Sequence, residues 1–287
     1  MKRILVPIDF SEQAKYALNF AAELASSDKE INITVFHAVE QPLEGYLDPT
    51  GIAVSLGMDA DLLRILKQNA VNSMDVFFSE LNLDERNFDK KIEVGTPHEA
   101  IQEEIASVGY DLVIMGTTGA SGFKEIFIGS NAEKVVRDAH CPVITLSSPA
   151  SIKSIKNIVF ASATLTDISE ELITEIKILQ DLLHAKLHIV RINTPNNFER
   201  DEVVFKSLRF IAERYMLKDY TLNVYNDSYE EQGIISFANE IDAGMIALGT
   251  HGRKGLSHLL SGSLAEDIVN HAFCPIWTFH ISKHEIA

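Results

Sequence analysis

The chain has 287 residues, 46% of them hydrophobic, which fits a globular protein long enough for two domains of ordinary size. Its formal net charge of −16 gives a surface that repels phosphate backbones, which argues against nucleic acid as a partner. No stretch approaches the ~20 apolar residues of a membrane-spanning helix, and the first residues do not resemble a signal peptide. We therefore expect a cytoplasmic protein with no membrane partner.

Short apolar runs alternate with helical patterns along the first half of the chain. The predicted strands cover 3–7, 31–38, 89–94, 111–116 and 142–146, and the predicted helices cover 12–26, 62–81, 97–108 and 130–139. Several strands are rich in Ile and Val on both faces, which is typical of central parallel strands covered by helices. Ser11 can cap the first helix. The alternation predicts an α/β fold with a parallel sheet and helices on both faces.

The second half of the chain repeats the pattern of the first. A single offset of 133 positions relates four pairs: Gly116 with Gly249, Gly129 with Gly262, Ser130 with Ser263, and Cys141 with Cys274. Several matches at one constant offset indicate a tandem duplication. Because the two cysteines lie in matching contexts, we interpret them as structural thiols and predict neither a disulfide nor a metal site.

The two halves differ in length near their beginnings. Residues 156–160 resemble residues 2–6 at an offset of 154, so the first half carries an insertion. Pro and Gly residues crowd between 40 and 62, which predicts that the insertion is a loop there. A polar stretch over 147–151 is the predicted linker. The predicted domains are 1–147 and 153–287.

A glycine-rich segment follows the fourth predicted strand of each half. In the first half it reads Gly-x-x-Gly over 116–119, then nine residues, then Gly129-Ser130. Gly116 lies at the carboxyl end of a parallel strand, where α/β sheets bind ligands, and Gly129 opens a helix whose first N–H groups lack partners. The helix dipole makes that end positive, which suits a phosphate. An ordinary helix cap is the simpler alternative, but repetition at identical spacing favours a ligand loop.

This pattern resembles the ATP-binding signature of the universal stress protein family. The opening run from Ile4 to Ser11 resembles that family's first strand and turn, while 133–137 and 141–143 resemble its last helix and last strand. The resemblance covers almost the whole chain as two copies. It implies two tandem open parallel five-stranded sheets, each of order 3-2-1-4-5, and pairing of the copies through their last strands.

The resemblance also implies which residues of the first half would bind ATP, with or without Mg²⁺. Pro7, Ile8 and Asp9 would face the adenosine, and Ala38 would lie near the base. The residues that would line the ribose and phosphates are Met115, Gly116, Thr118, Gly119, Gly129, Ser130 and Asn131. Thr118 stands where the family often has a histidine.

The second half departs from this pattern on the adenosine side. Ala161 and Ala163 stand where the first half has Pro7 and Asp9. The residues of its predicted, weaker site are Gly249, His251, Gly252, Arg253, Gly262, Ser263 and Leu264. Three alternatives remain open for this second site: it binds a different anion, it binds ATP weakly, or it is vestigial.

These features together predict a stress-response protein with a regulatory or protective role that binds an adenine nucleotide. We predict no catalytic residue, because the chain lacks a Walker A loop, a His-Glu-x-x-His motif and a Gly-x-Ser-x-Gly elbow. Slow ATP hydrolysis and an interaction module with vestigial nucleotide sites are the alternatives. The sequence leaves open whether the chain forms a further homodimer, and it does not identify a protein partner.

Overall fold

The computed structural model describes residues 2–40, 45–47, 53–55, 60–117, 129–161, 169–251, 268 and 272–281. The first half comprises β1 (Arg3–Pro7), α1 (Glu12–Ser27), β2 (Asn32–Val39), β3 (Gly45–Leu47), β4 (Ala53–Ser55), α2 (Ala60–Leu81), β5 (Asp89–Val94), α3 (Pro97–Val108), β6 (Leu112–Gly116), α4 (Ser130–Asp138) and β7 (Val143–Leu146). No boundary predicted for the first half differs from these by more than two residues.

The second half repeats this order without a counterpart of the β3–β4 hairpin, and the positions equivalent to α4 lie almost entirely outside the described residues. It comprises β8 (Asn157–Ala161), α5 (Glu170–Leu183), β9 (Lys186–Asn193), α6 (Asp201–Arg214), β10 (Tyr220–Asn226), α7 (Glu230–Glu240), β11 (Met245–His251) and β12 (Ile276–Ile281). Among the described residues, no helix combines the length and apolarity needed to cross a bilayer.

Helix α1 illustrates how the sequence specifies these elements. The Ser11 hydroxyl accepts a hydrogen bond from the Ala14 amide at 3.2 Å, which caps the helix as predicted. Apolar residues recur at helical spacing from Ala14 to Leu24, and this stripe is buried. This stripe packs against the strands in the middle of the first half. The start of α1 lies beside the carboxyl end of β1, where Ser11 and Pro7 line the same pocket.

The insertion of the first half contains regular structure where a loop was predicted. Strands β3 and β4 pair antiparallel, with Tyr46 opposite Val54, and α2 begins at Ala60. The loop prediction for 40–62 was therefore wrong for these short stretches. Pro and Gly residues interrupt regular secondary structure, but strands of three residues can form between them.

The strands of both halves form one continuous sheet of ten strands. Its order is β10-β9-β8-β11-β12-β7-β6-β1-β2-β5, so each half has the expected 3-2-1-4-5 order. The two five-stranded units join into one sheet because β7 and β12 pair antiparallel. That pairing covers two edges that would otherwise expose unpaired backbone groups.

The junction between the halves has pseudo-two-fold symmetry. Ile144 pairs with Trp277, and these two residues are themselves equivalent in the repeat. Thr145 pairs with Ile276 and Thr278 pairs with Val143, so each strand pairs with its own equivalent from the other half. This is the contact that two identical subunits make around a two-fold axis. The duplicated chain therefore pairs its last strands within one molecule, as the family resemblance implied.

Two apolar layers cover the sheet, one on each face. The first layer contains residues of α1, α2, α5 and α6, and the second contains residues of α3, α4 and α7. Each layer includes residues of both halves, so the core continues across the junction. The connection between the halves is also fixed in place, because the Glu23 carboxylate of α1 accepts hydrogen bonds from the Ser151 hydroxyl at 2.8 Å and the Ile152 amide at 3.0 Å.

Candidate functional site

A pocket of about 420 Å³ lies at the carboxyl ends of β1, β2 and β6, beside the first turns of α3 and α4. Strand order reverses here, because β1 is flanked by β2 on one side and by β6 on the other. Crevices at such switch points are the usual ligand sites of open α/β sheets. The volume falls within the range of ~300–1,000 Å³ typical of small-molecule sites.

The structure brings nine predicted site residues of the first half together around this pocket. They are Pro7, Ile8, Asp9, Ala38, Met115, Gly116, Gly129, Ser130 and Asn131. The other two, Thr118 and Gly119, lie outside the described residues. Sequence reasoning missed further lining residues, namely Ser11, Ala14, Phe36, His37, Glu40, Pro97, Ile101, Thr117 and Ala132. Most of these residues either lie next to a predicted site residue at a strand end or begin a helix. Their position in the predicted elements could therefore have identified them as lining the pocket.

The turn after β1 is held by its own side chains. The Asp9 carboxylate accepts hydrogen bonds from the amide of Ser11 at 3.0 Å and from its hydroxyl. Phe10 between them has a φ of 64°, a left-handed conformation that is unfavourable for an aromatic residue. Its ring packs 4.4 Å from His37 and 5.8 Å from Phe77, measured between centroids. The rim of the pocket therefore carries an exposed carboxylate in a fixed position.

His37 links the ends of β1 and β2. Its Nδ1 lies 2.9 Å from the Ile8 carbonyl oxygen, which can only accept, so Nδ1 carries the donated proton. In the neutral ring Nε2 is then an acceptor. The Ile8 amide in turn donates to the Phe36 carbonyl at 2.8 Å. A pocket wall with a defined tautomer can distinguish donors from acceptors on a ligand.

Helix α4 presents its amino end to the pocket. No side chain caps the helix among the described residues, and helix geometry leaves the first N–H groups without intrahelical partners. The Gly129 amide is an exception, because it donates to the Thr117 carbonyl. The amides that remain for an anion therefore begin at Ser130, one residue later than the sequence suggested. The positive end of the helix dipole adds to their effect.

Gly116 is required for packing as well as for its place in the pocket. A Cβ atom at this position would lie 2.6 Å from the Cβ of Gln13 and 2.7 Å from its backbone carbon. The glycine thus lets α1 approach the end of β6 closely, and this contact sets the position of the α1 amino end at the pocket. The interpretation of Gly116 from its strand-end position alone missed this steric role.

The predicted second site falls mostly outside the described residues. Gly252, Arg253, Gly262, Ser263 and Leu264 all lie there. Gly249 and His251 lie within β11, where they pair with Phe279 and Ile281. The strand therefore includes residues 250 and 251, which were predicted to begin the loop over 250–261. The reason is that β12 extends to Ile281 and pairs with β11 over its last residues, whereas β7 ends at Leu146.

The two cysteine thiols lie at equivalent, buried positions. Cys141 is 8% exposed and Cys274 is 9% exposed, and both are free. Burial raises the pKa of each thiol to about 12. A thiol with so little thiolate at neutral pH is a poor nucleophile, which agrees with the predicted structural role.

Comparison with known proteins identifies close sequence and structural relatives. A sequence model of the Universal stress protein family matches residues 1–147 and again residues 156–280. Universal stress protein MJ0531 of Methanocaldococcus jannaschii is 31% identical over 153 residues, which cover 52% of this chain and 83% of that protein. Universal stress protein Slr1230 of Synechocystis is 23% identical over 309 residues, covering 97% of this chain and 100% of that protein.

The fold of the whole chain also has a solved counterpart. The crystal structure of a universal stress protein from Archaeoglobus fulgidus superposes with a TM-score of 0.70. The superposition covers 99% of this chain and 97% of the other, at 18% sequence identity. At this identity the likeness concerns the fold, and it extends over both halves.

Proposed function

The chain belongs to the universal stress protein family, and from that premise we propose that its first half binds an adenine nucleotide, ATP or a close relative, in the pocket at β1, β2 and β6. The observation that carries the proposal is the convergence of all nine described site residues on one cavity. Those residues were selected from the sequence by their resemblance to the family's ATP-binding pattern.

The chemistry of the pocket changes from one end to the other. Ile8 and Ala38 provide apolar surface beside the ends of β1 and β2, which suits the faces of an adenine ring. Asp9 supplies an acceptor for ribose hydroxyls or for the edge of the base. The amides of α4 from Ser130 onward supply donors for phosphate oxygens. A triphosphate bound there would bring its Mg²⁺ with it.

A regulatory or protective role fits such a site better than rapid turnover. Sequence motifs of the common ATP-cleaving enzymes are absent, and fixed backbone donors stabilise a bound phosphate without activating water. Nucleotide occupancy would instead change the surface around the pocket and thereby its recognition by a partner.

Replacement of Gly129 by Val tests the assignment. Gly129 has φ −61° and ψ 142°, which Val adopts readily, so the variant should fold and its methyl groups should enter the pocket. We expect the affinity for ATP to fall at least tenfold, about 1.4 kcal/mol, in calorimetric titrations with Mg²⁺. Ala106→Val on the exposed side of α3 is the matched control and should bind like the unmodified chain.

Unchanged ATP affinity in Gly129→Val would refute the phosphate-binding role of α4. Acid extraction of the purified protein is an independent check, because adenine nucleotide retained through purification supports the proposal. A single-turnover assay with labelled ATP would separate binding alone from slow hydrolysis.

A further inference from the structure

Arg191 is a buried arginine at the carboxyl end of β9. Only 6% of the residue is exposed, and its Nε and Nη1 atoms have no hydrogen-bond partner among the described residues. A guanidinium group taken out of water without a partner carries a large desolvation penalty. In native structures such a group is explained by strain, by a functional role, or by a bound water or ion, so Arg191 is a candidate ligand-binding group.

The strand pairings locate Arg191 at the position that His37 occupies in the first half. The last residue of β1 pairs with Phe36, and the last residue of β8 pairs with Val190. His37 and Arg191 therefore each come one residue beyond the end of the central strand of their half. Because His37 lines the first pocket, Arg191 stands at the corresponding edge of the second half.

Glu230, at the start of α7, is a charged group that interacts electrostatically with Arg191. Helix α7 begins at Glu230 as α3 begins at Pro97, and Pro97 lines the first pocket. Burial raises the pKa of Glu230, and the positive charge of Arg191 acts in the opposite direction. The charges of Arg191 and Glu230 therefore interact, although the two residues lie on different elements. No ion pair joins these two described side chains, so Nε and Nη1 keep their donors.

We propose that the second half binds a small oxyanion of low charge, a phosphate group or a carboxylate, at the carboxyl end of β9 through the Arg191 guanidinium. The planar fork of an arginine matches two oxygens of such a group. The carboxylate of Glu230 nearby disfavours a ligand with several negative charges, such as a triphosphate. The two halves thus select different ligands, and this proposal does not depend on nucleotide binding by the first half.

Melting temperature as a function of anion concentration tests the proposal in the full chain. Inorganic phosphate and acetate are titrated separately, so that the two sources of the oxyanion are distinguished. The variants are Arg191→Met and Arg191→Lys, with Arg209→Met as the control that removes the same charge from an exposed position on α6. General salt effects act on all four chains alike, so only differences between the chains report on the site.

We expect at least one of the two anions to stabilise the unmodified chain and Arg209→Met equally. The apparent dissociation constant should rise at least tenfold in Arg191→Met and by a smaller factor in Arg191→Lys, which keeps the charge and loses the fork. Without anion, Arg191→Met should melt at or above the temperature of the unmodified chain, because an unpaired buried charge has been removed.

Equal stabilisation of all four chains by both anions would overturn the proposal. So would a fall in the melting temperature of anion-free Arg191→Met and Arg191→Lys together, since that would give Arg191 a purely structural role. Either failure leaves the ATP titrations of the first half unaffected.

Discussion

The two halves share a strand order and a continuous core, but they differ where the strands end. At the carboxyl edge the first half has His37 and Pro97, and the second has Arg191 and Glu230. Core positions are constrained by neighbours on both sides, whereas residues at the sheet edge contact the solvent or a ligand on one side. The two halves therefore share a scaffold but differ in the residues at the carboxyl ends of their strands.

A second difference lies inside the layer formed by α3 in one half and α7 in the other. In the first half, buried Glu104 accepts hydrogen bonds from Tyr110 at 2.8 Å and from Lys91 at 2.5 Å. The second half has Phe237 and Ala243 at the positions of Glu104 and Tyr110. Around α3 this layer therefore includes a charged cluster, whereas apolar residues occupy the two equivalent positions around α7.

The largest expected effect tests whether the halves unfold as one unit. Trp277 is fully buried beside the junction, and its ring stacks 6.1 Å from that of Phe279. Trp277→Ala should lower the free energy of unfolding by about 3–5 kcal/mol, since it leaves a cavity in a shared layer. Urea denaturation followed by circular dichroism should show one transition that moves as a whole.

Trp277→Phe is the matched control for that experiment. It keeps an aromatic ring and removes the indole Nε1, which has no hydrogen-bond partner among the described residues. We expect a loss below about 1.5 kcal/mol. Two separate transitions in Trp277→Ala, with the first-half transition unmoved, would contradict a core coupled across the junction.

A smaller effect, on the free energy of unfolding at alkaline pH, should come from the Glu104 cluster around α3, which has no counterpart around α7. Burial, helped by the bond to Glu104, raises the pKa of Tyr110 to about 12, and the same carboxylate raises the pKa of Lys91. Both groups hold their protons more tightly when folded. Their stabilisation is complete below about pH 10, near their unfolded pKa values, and is lost as pH rises toward 12.

The corresponding variant is Tyr110→Phe. It should lower stability at neutral pH by about 1–3 kcal/mol, because a buried carboxylate loses a donor. Its stability should then fall less steeply than that of the unmodified chain between about pH 10 and 12, as measured by denaturation at each pH. Tyr229→Phe, at a residue that is 74% exposed, should behave like the unmodified chain. Parallel pH profiles for Tyr110→Phe and the unmodified chain would show that Tyr110 does not titrate differently in the two states.

Much of this architecture could be predicted because its signals are local. Strands such as β1 and helices such as α1 follow from periodicity and a cap. The phosphate side of the first pocket follows from glycines at a strand end and a helix start, whereas its adenosine side was implied by the family resemblance. The pairing of β7 with β12 has no local signal, since it joins residues far apart in sequence, and only the family resemblance implied it. The sequence gives no signal for Arg191 either, because its burial without a hydrogen-bond partner arises only when elements distant in sequence pack together.

The smallest expected difference concerns the cysteines, where the halves should agree. With a pKa of about 12, the thiolate fraction of Cys141 and Cys274 at neutral pH is roughly a thousandfold below that of an unperturbed thiol. Both should therefore react with a maleimide far more slowly in the folded chain than in urea. The two rates, separated by mass spectrometry of peptides, should agree within a small factor.

That comparison also measures how independently the halves open. A buried thiol reacts mainly when its surroundings open locally, so each rate reports the opening free energy of its own half. If Cys274 reacted much faster than Cys141, the second half would open without the first, and the core layers that cross the junction would not couple them. Trp277→Ala should accelerate both reactions together if the coupling holds, because the cavity lies in a layer to which both halves contribute.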